Sequence, residues 1–212
     1  MTVPTPLTVA LLGAGPVARG LAGLTADAGH AVTFGVRRPK EVAATTTHAV
    51  AAMYDAARDA DIAIVAVPYR VIDSVLPDLA PALNGTIVVD ATNPLHEDYS
   101  PMQPSAPSAG EHVQQLLPDA RVVKAFNTIF ATVMDAERLD RDGRLTTAFL
   151  AGDDSEAVAT VQQLAADLGY APVVTGPLAN SRYLEAMAHL NISIAFGQGG
   201  GADAAFLYHQ AA

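Results

Sequence analysis

The sequence predicts an α/β protein: a doubly wound parallel sheet with a small αβ extension at its C-terminal end. Three observations carry that expectation. Short apolar runs of strand length alternate with amphipathic helical segments along the first two thirds of the chain. The first run ends in a glycine-rich turn that leads directly into a helix. Beyond residue 144 the same alternation continues, over a stretch too short to form a second large core.

Residues 7–12 are the first apolar run, continuous as a strand buried on both faces should be. The turn follows as Gly13, Ala14, Gly15, Pro16, Val17, Ala18, a G-x-G-x-x-A pattern. Gly13 suits a tight turn, Gly15 admits a pyrophosphate close to the backbone, and Ala18 lets the helix lie near the strand. Pro16 stands at the first helical position, where its missing N–H costs nothing. Val17, Leu21, Leu24 and Ala28 give that helix an apolar stripe, and Gly29 suits its exit before a strand at 31–34. Together these form a βαβ unit that resembles a dinucleotide-binding (Rossmann) half.

The end of the second strand bears on which dinucleotide. An acid there would hold a ribose 2′-hydroxyl; instead the run is Gly35, Val36, Arg37, Arg38, Pro39, Lys40. With no carboxylate to repel a 2′-phosphate and two guanidiniums to meet one, NADP(H) is the expected ligand. A merely solvated arginine pair is the alternative reading.

Residues 45–58 read as a short helix or strand, with a weak third strand near 48–50. A buried strand at 61–67 ends at Pro68. Val71, Val75, Leu79 and Leu83 then suggest a helix that Pro77 kinks or restarts. Asn84 and Gly85 make a turn into a strand at 86–90. A loop at 91–108 carries Pro94, Pro101, Pro104 and Pro107, and a helix at 109–117 leads to a strand at 121–124. In the extension, a strand at 145–151 precedes a helix capped by Asp153 with Glu156 reaching back, lined by Val158, Val161, Ala165 and Leu168. After Gly169 comes a strand at 171–175. A last helix at 181–196 has Tyr183, Met187, Leu190 and Ile194 on one face and Leu184, Ala188, Ile192 and Ala195 on another. Two apolar faces imply burial on two sides, against the body and against a partner or ligand, and a homodimer is expected. The glycines at 197–201 suggest a flexible tail, with Phe206, Leu207 and Tyr208 able to dock as a lid. The expected division is a dinucleotide-binding domain at 1–144 and an extension at 145–212 completing an acceptor pocket; one continuous domain is the alternative.

Composition excludes several function classes. Half of the residues are hydrophobic, so the chain folds, while a net charge of -10 argues against nucleic acid. With no cysteine there is no disulfide, thiolate-held cluster or thiol nucleophile. Residues 1–6 lack the basic and apolar regions of a leader, and no run approaches bilayer length, so a cytoplasmic protein with no membrane partner is expected. The six histidines show no metal-ligand spacing, and no metal is expected. His96, His189 and His209 are the candidates for the crevice side. Asn93 and Asn127 follow strand ends, where ligands gather, although asparagine also ends strands routinely. Asn180, Ser181 and Arg182 read as caps of the last helix. Lys124, within a strand, is either a crevice charge or a snorkelling edge residue.

Motifs spread in order over nearly the whole chain carry a family resemblance. They begin with the glycine turn and the Gly35, Val36, Arg37, Arg38, Pro39 run, and continue with Val65, Ala66, Val67, Pro68 and Asp90, Ala91, Thr92, Asn93, Pro94. The segments at 122–128, 151–154 and 176–182 follow. The sequence resembles the NADP-dependent oxidoreductases that use the deazaflavin coenzyme F420. It is also similar to the cytosolic reductase domain of the six-transmembrane epithelial antigen metalloreductases. The resemblance implies a dimeric NADP(H)-binding enzyme that passes hydride to coenzyme F420 or to FMN or FAD, a small-molecule electron acceptor. Carried over by position, Gly13, Ala14, Gly15, Pro16 and Val17 would hold the pyrophosphate and Arg37 with Arg38 the 2′-phosphate. Val67 and Pro68 would lie against the adenosine ribose. Asn93 and Pro94 would border the nicotinamide, and Asn127, Thr128 and Ile129 the acceptor.

Two departures are visible. Val36 stands where the family commonly has serine, which implies weaker NADP binding or better tolerance of NAD. Phe126, Asn127 and Thr128 are closer to the metalloreductase branch, which leaves a flavin-delivered ferric ion among the acceptors. Hydride transfer between planar rings needs alignment more than acid–base groups, so no catalytic side chain is assigned. A small carbonyl or imine reductase, or a non-catalytic NADP sensor, are the remaining alternatives. The first of these generally needs a helical domain of about 100 further residues.

Overall fold

Strict period-two alternation organises the sheet. In the first strand, β1 (Thr8–Leu12), Val9 and Leu11 face one side while Ala10 and Leu12 face the other, and all four are buried. The same alternation recurs in β4 (Ile62–Val65), where Ile62 and Ile64 oppose Ala63 and Val65. A sheet apolar on both faces must be covered on both, and the chain supplies a helical layer to each. The computed structural model describes residues 5–102 and 107–211, so residues 1–4 and Pro104 of the expectations above lie outside the described residues.

Eight strands run in the order β3-β2-β1-β4-β5-β6-β7-β8. Besides β1 and β4 they are β2 (Ala31–Val36), β3 (Ala49–Ala52), β5 (Ile87–Asp90), β6 (Arg121–Lys124), β7 (Thr147–Gly152) and β8 (Ala171–Val174). The first six are parallel; β7 is antiparallel to β6 and parallel to β8. The strand order reverses between β1 and β4, which opens a crevice at their carboxyl ends. Helices α1 (Pro16–Asp27) and α6 (Ser155–Asp167) cover one face. Helices α3 (Met53–Arg58), α4 (Ile72–Leu79) and α5 (Ala109–Leu116) cover the other. A short α2 (Pro39–Ala43), not expected from the sequence, joins β2 to β3. The C-terminal helix α7 (Ser181–Ile192) packs Leu184 on Phe149 and Ala151 of β7, then continues as one π-helical stretch, Ser193–Gly197.

Several expectations need correction. The buried face of α4 is Ile72, Leu76 and Leu79, one position on from the stripe built on Val71 and Val75, because Tyr69–Val71 is a separate 3₁₀ turn. Pro77 lies inside α4. Asp154, not Asp153, caps α6, accepting from the Ala157 N–H at 2.7 Å; Asp153 instead accepts from the Leu178 N–H at 2.9 Å. Asn180 occupies the N-cap of α7 without capping it, and its amide donates to the Thr175 carbonyl. Ser181 is buried and donates to the Leu178 carbonyl, while Arg182 pairs with Glu111. One expected apolar face of α7 is not covered within the chain: Tyr183, Leu190 and Ile194 are exposed. The backbones of Phe206 and Tyr208 pair with the Thr147 N–H and hydroxyl of β7, and neither residue lines the main cavity as a lid would.

One buried polar cluster interrupts the apolar layers. Lys124, wholly inaccessible, donates to Asp90 Oδ2 at 2.8 Å and to the Thr92 carbonyl at 2.7 Å, and lies 3.2 Å from Glu185 Oε1 of α7. Glu185 in turn accepts from the Ala109 and Gly110 N–H groups at the start of α5. Removing one member leaves uncompensated buried charge. Lys124→Ala should therefore lower the free energy of unfolding by about 3–5 kcal/mol, read as a shift of the urea midpoint at unchanged slope.

Candidate functional site

The crevice begins at the turn between β1 and α1. Gly13 has φ 126°, and its N–H donates to the Gly35 carbonyl at 3.0 Å. A Cβ there would stand 2.7 Å from the Ala66 carbonyl oxygen, so only glycine fits between two strand ends. At Gly15, the N-cap of α1, a Cβ would meet nothing within 4 Å. That side of the turn is open, no side chain caps the helix, and no acid lies in its first turn. The uncapped N–H groups and the positive end of the helix dipole form an anion cradle. Ala18 is fully buried, and Gly20 also leaves no room for a side chain, since a Cβ there would lie 2.5 Å from Met134 Cβ. Sequence reading missed this glycine, which sits outside the turn pattern.

At the end of β2, Val36 turns into the core, and Arg37 and Arg38 are exposed. Arg38 pairs with Glu41 at 3.2 Å, a solvent-exposed contact that an incoming anion can replace cheaply. Arg19, not singled out from sequence, braces this region. Its Nε donates to the Ala14 carbonyl at 3.1 Å and a terminal nitrogen to Thr45 Oγ1 at 2.9 Å, tying the glycine turn to the segment after α2. Its signal was a lone cation one turn into a helix otherwise free of charge until Asp27. Val67 and Pro68 follow β4, and Val67 lies beside Gly13.

The ends of β5 and β6 hold the second half. After β6, Phe126 is buried at φ 63°, a conformation that costs a large side chain about 1–3 kcal/mol. It is held by core packing, including an aromatic contact with Tyr170 at 5.6 Å. This reversal brings Asn127 against Asn93. Asn93 Nδ2 donates to the Asn127 carbonyl at 2.7 Å, and Asn127 Nδ2 donates to Asn93 Oδ1 at 2.9 Å. The main-chain carbonyl fixes Asn93's amide orientation, and Asn93 fixes that of Asn127. Asn127 Oδ1 is left buried with no protein partner. Pro94 is buried, its carbonyl accepting from the Met102 N–H.

A cavity of about 1100 Å³ opens here. Pro16 and Val17 border one end; Asn93, Asn127, Thr128 and Ile129 form its floor; α7 and its π-helical continuation form the far wall. It brings together those six of the expected residues. Gly13, Ala14, Gly15, Val36, Arg37, Arg38, Val67, Pro68 and Pro94 lie outside its wall. The rim is aromatic, with Phe130 and Phe196 edge to face at 5.9 Å. Of the candidate histidines only His189 is in the wall; His96 and His209 are exposed or lie outside it. Burial pushes the His189 imidazole below its ordinary 6.5, opposed by the Glu185 carboxylate and the Pro94 carbonyl. Asp98, beside the mouth, is held below the usual carboxylate range by the Ser100 hydroxyl and N–H. Among the described residues no cluster of three His, Cys, Asp or Glu could hold a metal, and no helix is long and apolar enough to cross a membrane.

A reversing parallel sheet, an uncapped glycine turn and a largely apolar pocket at the strand ends define a Rossmann-type dinucleotide-binding fold. Residues 8–94 match the family model described as NADP oxidoreductase, coenzyme F420-dependent. The fold superposes with a TM-score of 0.85 on an Arthrobacter sp. FB24 protein ascribed to the F420-dependent NADP-reductases, at 30% identity over 96% of this chain and 100% of that one. The chain belongs to this family of NADP oxidoreductases. It is also 31% identical to the F420-dependent NADP reductase of Methanocaldococcus jannaschii over 66% of this chain and 64% of that protein. To the rat metalloreductase STEAP3 it is 35% identical over 84% of this chain, and it spans 36% of that protein's length.

The depressed His189 basicity has a sign that can be checked. A neutral ring is native above about pH 6.5, and acidification charges the unfolded chain first, so this group lowers stability as pH falls through that range. Titrating the His189 ring by NMR should give a midpoint below the ordinary imidazole value of about 6.5.

Proposed function

We propose that the protein binds NADP(H) across the strand ends and passes hydride to a deazaflavin, coenzyme F420, or to a flavin. The observation that carries this reading is the apolar cavity beginning at Val17, next to the open glycine turn. A dinucleotide seated on that turn puts its nicotinamide end at the cavity floor. Family membership and the relatives' names support the same reading.

The first uncapped N–H groups of α1 hold the pyrophosphate, helped by Gly13, Ala14, Gly15, Pro16 and Val17. Arg37 and Arg38 take the 2′-phosphate, with only the backbone of Val36 in reach, and Val67 and Pro68 border the ribose. Asn93 and Asn127 orient the nicotinamide carboxamide, and Thr128 with Ile129 face the acceptor. The bound cofactors supply the hydride chemistry itself. The chain's residues align the two rings and exclude water, which is where most of the rate enhancement arises. In this reading residues 1–144 bind the dinucleotide and residues 145–212 complete the acceptor pocket. A second copy of the chain covers Tyr183, Leu190 and Ile194.

A second reading, metal reduction through a flavin, is supported by the 35% identity to STEAP3. Rapid mixing of NADPH with coenzyme F420, FMN and a ferric chelate separates the two. Reduction of F420 or FMN without added metal is the expected result, and oxidation of NADPH by none of the three ends both readings. Replacing Arg37 and Arg38 by alanine should cut the preference for NADPH over NADH at least about tenfold, the scale of lost charge-assisted hydrogen bonds. Light scattering should give a dimer mass, and Leu190→Asp a monomer.

A further inference from the structure

Two carboxylates and one ammonium are buried together behind the cavity floor. Asp90 accepts from Lys124 Nζ at 2.8 Å and from the Thr92 N–H at 2.9 Å. Glu185 lies 3.2 Å from the same ammonium and accepts from the Ala109 and Gly110 N–H groups at 3.1 and 3.2 Å. Each of these partners is a donor, which suits ionised carboxylates and not carboxylic acids. The cluster therefore holds one negative charge in excess. Asp90 alone would neutralise Lys124, so Glu185 is the surplus, and a surplus buried charge is costly to keep. The N-terminal end of α5 offsets only about half a unit charge.

That charge borders the cavity. Asn93 follows Asp90 by three residues and Asn127 follows Lys124 by three, which places the floor within about 10 Å of the cluster. His189 follows Glu185 by four residues, about 6 Å along α7, and lines the wall beside Ala188. The field extends to that wall. Burial lowers the His189 basicity most, but among the charges Glu185 raises it by more than Lys124 lowers it. Glu185, Asp73 and Asp90 likewise add to burial in pushing the Tyr69 phenol up to about 12. Among the described residues that line the cavity there is no lysine or arginine to cancel the field, and Asp98 at the mouth has the same sign.

We propose that Glu185 tunes the reaction electrostatically: its surplus charge stabilises the positive charge that a nicotinamide ring acquires on giving up hydride. This role rests on the hydride-transfer reading above and gives that reaction a residue outside the cavity wall. In the transfer, a hydrogen nucleus and two electrons pass from the neutral reduced ring to the acceptor, which then takes a proton from solvent. The nicotinamide is left with one positive charge, in a cavity whose largely apolar wall would otherwise favour the neutral, reduced form. One unit charge at about 10 Å, with an effective dielectric of about 20–40, changes an equilibrium constant about fourfold to sixteenfold. Glu185 is therefore a charge that acts at a distance, held in place by Lys124 and by α5.

The probes are NADP⁺ and NADPH, titrated by calorimetry into the full-length protein with no acceptor present. The unaltered protein should bind NADP⁺ more tightly than NADPH, against the preference of an apolar cavity, and tighter binding of NADPH overturns the proposal. Glu185→Gln keeps the side chain's size and one acceptor oxygen, and leaves Lys124 paired with Asp90. It should weaken NADP⁺ about fivefold while NADPH stays within about twofold. Asp90→Asn, which leaves Lys124 paired with Glu185, should shift the ratio of the two dissociation constants in the same direction. A purely structural cluster would weaken both nucleotides alike, and an equal loss or an unchanged ratio overturns the proposal. Where one variant does not fold, the ratio in the other decides, beside the preference of the unaltered protein. If the ratio shifts but NADPH gives hydride to neither coenzyme F420 nor FMN, the hydride-transfer reading fails and the charge assignment stands. If hydride passes and the ratio does not move, the charge assignment fails and the hydride-transfer reading stands. Binding of neither nucleotide ends both.

Discussion

A lysine with no solvent access sets the geometry of this protein. Lys124 gathers Asp90 from β5, the Thr92 carbonyl beyond it and Glu185 from α7, and Glu185 extends the cluster to the start of α5. Two carboxylates against one ammonium leave a net negative charge, which the positive end of the α5 dipole meets. A well-packed apolar trio could match this cluster in stability, because desolvating charges is costly. Apolar side chains, however, tolerate sliding, and fixed hydrogen bonds do not. The cluster ties β5 and β6, whose ends present Asn93 and Asn127, to the helix that presents His189. The two walls of the cavity therefore share one anchor.

The second constraint is the chain reversal at Phe126. A buried aromatic residue in the left-handed region is strained, and its packing against Tyr170 holds it there. Relaxing Phe126 to an extended conformation would continue β6 and carry Asn127 away from Asn93. The strained residue thus makes the paired amides possible, and those amides leave one unpaired oxygen among the cavity's lining residues. Strain, amide pairing and the free acceptor form one causal sequence.

Short-range physics made much of this legible in the residue order. The glycine turn reads clearly because Gly13 and Gly15 act on their immediate neighbours, and strands β1, β4, β5 and β6 read as short, largely apolar runs. Features decided by contacts distant in sequence did not read. Lys124 and Glu185 each look anomalous alone, a cation in a strand and an acid beside Leu184, and only the fold makes them partners. The α4 stripe slipped by one position because a 3₁₀ turn consumed Tyr69–Val71 before the helix began. The cap moved from Asp153 to Asp154 because Asp153 is held by the Leu178 N–H, a contact no local pattern contains. Gly20 and Arg19 were missed for the same reason: their partners, Met134 and Thr45, come from other parts of the chain.

The crevice divides along a physical line as well as a topological one. Its dinucleotide side is open, with exposed arginines and free N–H groups, and recognition there is electrostatic and directional. Its other side is largely apolar, with hydroxyl and amide groups and no lysine or arginine among the described residues that line it, and recognition there comes from burial and from one or two hydrogen bonds. A chain of net charge -10 repels anions over most of its surface. In the proposed function, Arg37 and Arg38 act against that background field, and only within a Debye length, about 8 Å at physiological salt. An anionic ligand is drawn to the β2 end of the crevice and finds nothing to hold its charge at the β6 end. A dinucleotide with a phosphate-rich adenosine half and an uncharged carboxamide can meet both demands in one orientation only. In the proposed function, this charge distribution orients the cofactor before any contact with the acceptor is made.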